Sequence, residues 1–244
     1  MKPRYFTIPN LLTLSNLFCG SLAVLSAFGG NLERSFWLIV LAAVFDFCDG
    51  FAARLLKQYS PLGGELDSLA DIVSFGLAPS AVVYAIYCTA VCEPAGLPLA
   101  DAAGTGVGAW RYVAFIIVLL SALRLARFNV DTEQTSEFIG MPTPACAIFF
   151  ASTGYLFARG MFTGFDMRLI LIVAVVMALF LILPIRMFSF KFHSFGWRGN
   201  ELRYSFVILS AAAIALWQIA AVPCIIIAYM LVSIVRHTVL MVRK

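Results

Sequence analysis

FDFCDGFAARLLKQYSPLGGELDSLAD, residues 45–71, carries four carboxylates, Asp46, Asp49, Asp67 and Asp71, on two apolar segments joined by a short turn. On insertion scales an Asp near the centre of a membrane helix costs about 2.5–3.5 kcal/mol, so four in neighbouring helices demand a compensating charge. Helical periodicity gathers them. Asp46, Asp49, Gly50 and Ala53 fall at i, i+3, i+4 and i+7 on one stripe of the first helix. Gly63, Asp67 and Asp71 fall at i, i+4 and i+8 on one stripe of the second. Ser60, Pro61, Gly63 and Gly64 place the turn. Counted outward from it, Asp49 and Asp71 are expected about seven or eight residues in, roughly 10–12 Å at 1.5 Å per residue. The two pairs are thus expected to meet at similar depth.

The surrounding chain supports a membrane setting. It has 244 residues, 62% hydrophobic and 12% charged, with mean hydropathy +0.94. A soluble domain carries roughly a quarter charged residues, so that class is excluded. A transmembrane helix needs about 20 mainly apolar residues. The apolar runs predict eight spans, near 9–28, 35–56, 65–88, 109–128, 144–162, 167–187, 203–219 and 222–241. The expected fold is an all-α, polytopic integral membrane helical bundle, one membrane domain over 1–244, with a core over about 5–190 and an additional C-terminal helix pair over about 200–244. The run from Leu11 to Phe28 lacks a small-residue cleavage site and reads as a retained span rather than a signal peptide.

Charge sets the orientation. With a cytoplasmic N-terminus, 13 of the 17 Lys and Arg fall on the inner side, leaving Arg34, Arg111, Arg159 and Arg168 outside. Both termini are therefore expected in the cytoplasm, with the carboxylates near that face of a bacterial-type cytoplasmic membrane. The outer connection 89–108 reads as a linker without chemistry, and FSFKFHSFGWRGN, 188–200, as an interfacial aromatic and basic belt touching lipid headgroups. The six cysteines lie mostly in apolar stretches without a CxxC pair and read as packing residues. No nucleic-acid partner is expected.

Four carboxylates at one depth need cations. Hard divalent ions with oxygen ligands, Mg²⁺ or Mn²⁺, meet that need and bring diphosphate with them. Gly50, Ala53 and Gly63 leave room for a nucleotide or phosphate to approach the backbone, and Arg54 and Lys57 at the mouth complement an anionic substrate. Read from the residues alone, the same carboxylates also suit a cation-coupled transporter or structural pairing with Arg54. Against a transporter, the chain shows no repeated half and no second carboxylate cluster. Against a hydrolase, it has no GxSxG, and neither His193 nor His237 stands beside a nucleophile.

The order Asp46, Asp49, Gly50, Ala53, Arg54, Gly63, Asp67, Asp71, eight fixed positions in a 26-residue window, resembles the signature of the CDP-alcohol phosphotransferase family. That resemblance implies two divalent cations held by the four Asp, Asp71 as general base, and Gly50, Ala53 and Gly63 lining a cytidine and phosphate pocket. It also implies a homodimer. IPNLLTLSNLFCG (8–20), GGELDSLADIVSFGLAPS (63–80), LRLARFNV (123–130) and GMPTPA (140–145) resemble the serine-using branch. The implied reaction transfers a phosphatidyl group from CDP-diacylglycerol to L-serine, releasing CMP; siblings use glycerol 3-phosphate, inositol phosphate or choline. A serine carboxylate needs a cation, which makes Arg124 and Arg127, with Asn129 nearby, the candidate acceptor pocket. Snorkelling accounts for either Arg equally well. Asn16 suits a substrate contact or an interhelical hydrogen bond, and Thr143, between two prolines, a helix-starting turn.

Overall fold

The computed structural model describes residues 5–92, 109–130, 138–187, 196 and 200–242. Residues 93–108 of the expected linker and almost all of the stretch 188–200, with His193, lie outside them, as do Lys2, Arg4, Arg243 and Lys244. The described chain is a helical bundle. Its helices are α1 (Ile8–Phe28), α2 (Leu32–Leu55), α3 (Pro61–Asp71), α4 (Ala78–Cys92), α5 (Ile116–Val130), α6 (Thr143–Ala158), α7 (Ile170–Ile182), α8 (Glu201–Trp217) and α9 (Ala221–Val242). A π-helical segment, Ile72–Leu77, fuses α3 to α4, and a 3₁₀ turn, Ala109–Phe115, leads into α5.

Five helical segments are long and apolar enough to cross a membrane: Ile8–Phe28, Leu32–Leu55, Pro61–Ala90, Trp110–Val130 and Glu201–Val239. Thr143–Ala158 and Met167–Ile182 are apolar but shorter. The last long segment is broken at Gln218, whose φ of 50° separates α8 from α9.

Local chemistry sets the joints around the carboxylates. The Thr7 hydroxyl accepts from the Asn10 amide at 3.3 Å and starts α1. At its end, Gly30 adopts φ 77° and Asn31 caps α2 through the Arg34 amide at 2.9 Å, so the two helices fold back with three residues between them. After α2, Lys57 takes the left-handed φ of 53°, and Ser60 caps α3 by accepting from the Gly63 amide at 3.0 Å. Pro61 follows at the start of the helix, where its missing N–H costs nothing. Gly63 and Gly64, expected to shape the turn, instead lie in the first turn of α3.

The core is built around α6. Thr143, Cys146, Ala147, Phe149, Phe150 and Ala151 are buried, and a Cβ on Gly154 would stand 2.6 Å from Val82 Cγ1 of α4. Small residues let the backbones approach as in other membrane bundles. Buried hydroxyls are satisfied locally: Ser152 and Thr153 donate to the Phe149 carbonyl at 2.9 and 2.8 Å, and Ser35 donates to the Ala23 carbonyl at 3.0 Å. Phe138–Ile139 pairs antiparallel with Arg186–Met187, and the Met141 amide donates to the Phe180 carbonyl at 2.8 Å. This clasp anchors the entry to α6 against the end of α7. At the bundle's opposite end Arg159 pairs with Glu33 at 2.8 Å, which puts the end of α6 beside the start of α2.

Candidate active site

The hairpin of α2 and α3 does bring carboxylates together. One oxygen from each of Asp46, Asp49 and Asp67 lies within 4.8 Å of the others. Their register differs from the expected one. Asp49 precedes the end of α2 by six residues and Asp67 follows the start of α3 by six, so these two share a level. Asp46, one turn deeper, faces both Asp67 and Asp71. The expectation that matched Asp49 with Asp71 counted Gly63 and Gly64 as turn, whereas α3 has already begun at Pro61.

Helix α1 lies across this hairpin and supplies polar groups to it. Asn10, Thr13 and Asn16, three residues apart, are all buried. The Thr13 hydroxyl donates to Asp49 Oδ2 at 2.6 Å, and the Asn16 amide donates to Asp71 Oδ1 at 3.2 Å. Asn16 is itself clamped, because the Ser74 hydroxyl donates to its carbonyl at 3.0 Å. That contact needs Gly20, where a Cβ would stand 2.7 Å from Ser74 Cα. Sequence reasoning named Asn16 but passed over Thr13; the available signal was this three-residue polar spacing inside an apolar helix.

Two cavities flank the carboxylates. The first, about 180 Å³, is lined by Thr13, Asp49, Gly50, Ala53, Gly63 and Asp67 among others, with Tyr59 and Ser60 at its rim. A Cβ on Gly50 would meet nothing within 4 Å, so this wall is open. The second, about 340 Å³, is lined by Asp67, Ser68, Asp71, Arg124, Asn129 and the Pro142–Thr143–Pro144 start of α6. Gly64 and Asp67 belong to both. Asp67 is therefore the partition between two compartments.

The basic residues divide. Arg124 lines the second cavity, whereas Arg127 and Arg54 are exposed and line neither. Asn129 reaches that cavity held by Ser68, accepting at 3.2 Å and donating at 3.0 Å. Thr143 is both the first residue of α6 and part of the cavity wall.

The residues present fit a divalent ion. Asp67 Oδ1 is buried with no hydrogen-bond partner, as is Asn16 Oδ1. Leaving such acceptors bare costs about 1–3 kcal/mol each. Three carboxylates that each bring one oxygen within 4.8 Å of the others form the hard-oxygen donor set that a small divalent cation takes.

A bundle of apolar helices with an acidic centre between two cavities defines an integral-membrane protein whose carboxylates could hold a metal ion. The model of the CDP-alcohol phosphatidyltransferase family matches residues 6–186, and the chain belongs to that family. It is similar to the CDP-diacylglycerol–serine O-phosphatidyltransferase of Helicobacter pylori, 29% identical over 246 residues covering all of this chain and 95% of the relative. The protein of the same name from Bacillus subtilis is 36% identical over 137 residues, 56% of this chain and 69% of its own. An archaetidylserine synthase of Methanothermobacter thermautotrophicus is 32% identical over 154 residues, 61% of this chain and 58% of its own. The resemblance read from the carboxylate pattern is thus borne out.

Proposed function

We propose that this protein transfers the phosphatidyl group of CDP-diacylglycerol to L-serine, giving phosphatidylserine and CMP. The observation that carries the reading is the shared wall: Asp67 separates a glycine-lined cavity from one that holds both a carboxylate, Asp71, and a guanidinium, Arg124. The first compartment suits the cytidine diphosphate, against the bare backbone of Gly50 and beside Ala53 and Gly63. The second suits a small zwitterion. Arg124 meets the serine carboxylate, with Asn129 beside it, and Asp71 faces its hydroxyl.

Asp46, Asp49, Asp67 and Asp71 would hold Mg²⁺ or Mn²⁺, which when bound would supply charge neutralisation at the diphosphate. The protein does the rest by placement. Asp71, oriented by Asn16, takes the proton of the serine hydroxyl as that oxygen bonds to the lipid-side phosphorus. The bond between this phosphorus and the bridging oxygen breaks, and CMP leaves with the electron pair. Asp71 then returns its proton to water. Holding both reactants against one carboxylate wall replaces a bimolecular encounter by an oriented one. Arg54 and Lys57, outside the cavities, act as an electrostatic approach for the anionic lipid.

The same reading places both termini and the site at the cytoplasmic face, with eight crossings, a homodimeric assembly and lateral entry of the lipid while its acyl chains stay in the bilayer. The basic residues concentrated at one set of helix ends support that orientation. The test is CMP release from CDP-diacylglycerol by the purified protein, with and without serine. Release that requires serine and stops with EDTA is the expected result. Equal release with glycerol 3-phosphate, or activity untouched by EDTA, would sink the acceptor or the metal assignment respectively.

A further inference from the structure

Helix α6 starts in an unusual way. Pro142 is its N-cap and has no side-chain cap to give; the Ala145 and Cys146 amides donate instead to the Pro142 carbonyl, at 3.1 and 3.2 Å. Thr143 stands one position too late to cap the helix, and Pro144 after it has no N–H to be capped. A helix-starting turn thus accounts for the two prolines and leaves the residue between them without a task. Thr143 is 1% exposed and lines the larger cavity, and neither its N–H nor its hydroxyl has a hydrogen-bond partner among the described residues. Buried polar groups are nearly always paired, so two idle donors on one buried residue, at the positive end of a 16-residue helix, mark a place for an anion. The place is fixed from behind. The Gly140 amide donates to the Ile185 carbonyl at 2.9 Å and the Met141 amide to the Phe180 carbonyl at 2.8 Å, while Gly140 takes φ 77°, where a side chain would collide with the Leu181 carbonyl. Arg124 lines the same cavity, and its Nε is likewise buried without a partner.

The geometry points to Thr143 as a specificity-determining residue: its N–H and hydroxyl, at the start of α6, hold the acceptor's carboxylate together with Arg124, so that the larger cavity selects an alcohol that bears a carboxylate over one that bears only an ammonium group. The flanking prolines serve this directly. Neither brings an N–H or a side-chain oxygen that would compete for the donors of Thr143, and the helix behind them adds its own favourable potential for a negative charge.

The inference rests on serine being the acceptor, and CMP release by the full-length protein in mixed micelles separates the two claims. Thr143→Val keeps the shape and the N–H and removes the hydroxyl. It should raise the serine KM about tenfold, the effect of one hydrogen bond to a charged group, with the KM for CDP-diacylglycerol within about twofold. Thr143→Ser should stay near wild type. Two competitors identify the group that Thr143 holds: 3-hydroxypropanoate has serine's carboxylate and hydroxyl without the ammonium, and ethanolamine has the ammonium and hydroxyl without the carboxylate. Inhibition by 3-hydroxypropanoate should weaken in Thr143→Val by the same factor as serine binding, and inhibition by ethanolamine should not change. If ethanolamine is the one that weakens, Thr143 holds the ammonium and the inference is overturned. A serine KM unmoved in Thr143→Val, or raised equally in Thr143→Ser, overturns it as well while serine-dependent CMP release leaves the acceptor reading intact. If the unaltered protein releases no CMP in response to serine, that reading has failed and the inference falls with it.

Discussion

The side-chain amide of Asn16 reaches from the first helix to Oδ1 of Asp71, 55 residues away in sequence, at 3.2 Å. Asn16 is fully buried and its own amide oxygen has no partner. A residue that hydrogen-bonds a carboxylate from within the bundle fixes which oxygen faces the substrate. Asn16→Ala should therefore lower kcat by about tenfold or more, with the KM for CDP-diacylglycerol nearly unchanged. Equal losses in kcat and in thermal stability across a series of Asn16 variants would reduce its role to packing.

Thr13 does for Asp49 what Asn16 does for Asp71, through a 2.6 Å hydrogen bond. Thr13→Val keeps the shape and removes the donor. It should weaken the apparent affinity for activating Mn²⁺ by about 10-fold or more, while Thr13→Ser should stay near wild type. Activity titrated against free Mn²⁺ measures this, and identical midpoints for the two variants would refute it.

Asp71 lines the larger cavity, one turn beyond the partition residue Asp67. Asp71→Asn keeps the volume and loses the proton acceptor. Turnover should fall by about 10²-fold or more, the usual contribution of a general base, while equilibrium binding of CDP-diacylglycerol persists. Turnover close to wild type would remove Asp71 from the base role.

Two glycines should respond in opposite ways. Gly50 faces open space, so Gly50→Val should leave the melting temperature intact and raise the KM for CDP-diacylglycerol by crowding the smaller cavity. Gly20 abuts the backbone of Ser74, so Gly20→Val should destabilise the folded protein by about 1–3 kcal/mol or more, the cost of overpacking. Thermal unfolding in detergent beside steady-state kinetics distinguishes them.

Much of this was legible in the residues because membrane helices announce themselves by composition and the carboxylates by their cost. Periodicity put Asp46 and Asp49 on one stripe and Asp67 and Asp71 on another, and the structure has them facing each other across the hairpin. What could not be read was the relative register of the stripes, which depends on where α3 starts, and glycines in a helix's first turn look like glycines in a loop. Arg124 and Arg127 were equivalent in sequence; packing of α5 turns the first inward and the second outward. Thr13 was harder still. It acts across a contact between two helices, and periodicity within one helix says nothing about its neighbour.

The π-helical segment Ile72–Leu77 follows Asp71 directly. One surplus residue in such a segment rotates everything after it by about 100° relative to a regular helix. The long rod from Pro61 to Cys92 is thereby two tools on a single shaft: its first part is aimed at chemistry and its second at packing, each free to take its own heading. Deleting a single residue between 72 and 77 would straighten the winding and swing one part away from its task, although no side chain that touches substrate had been changed.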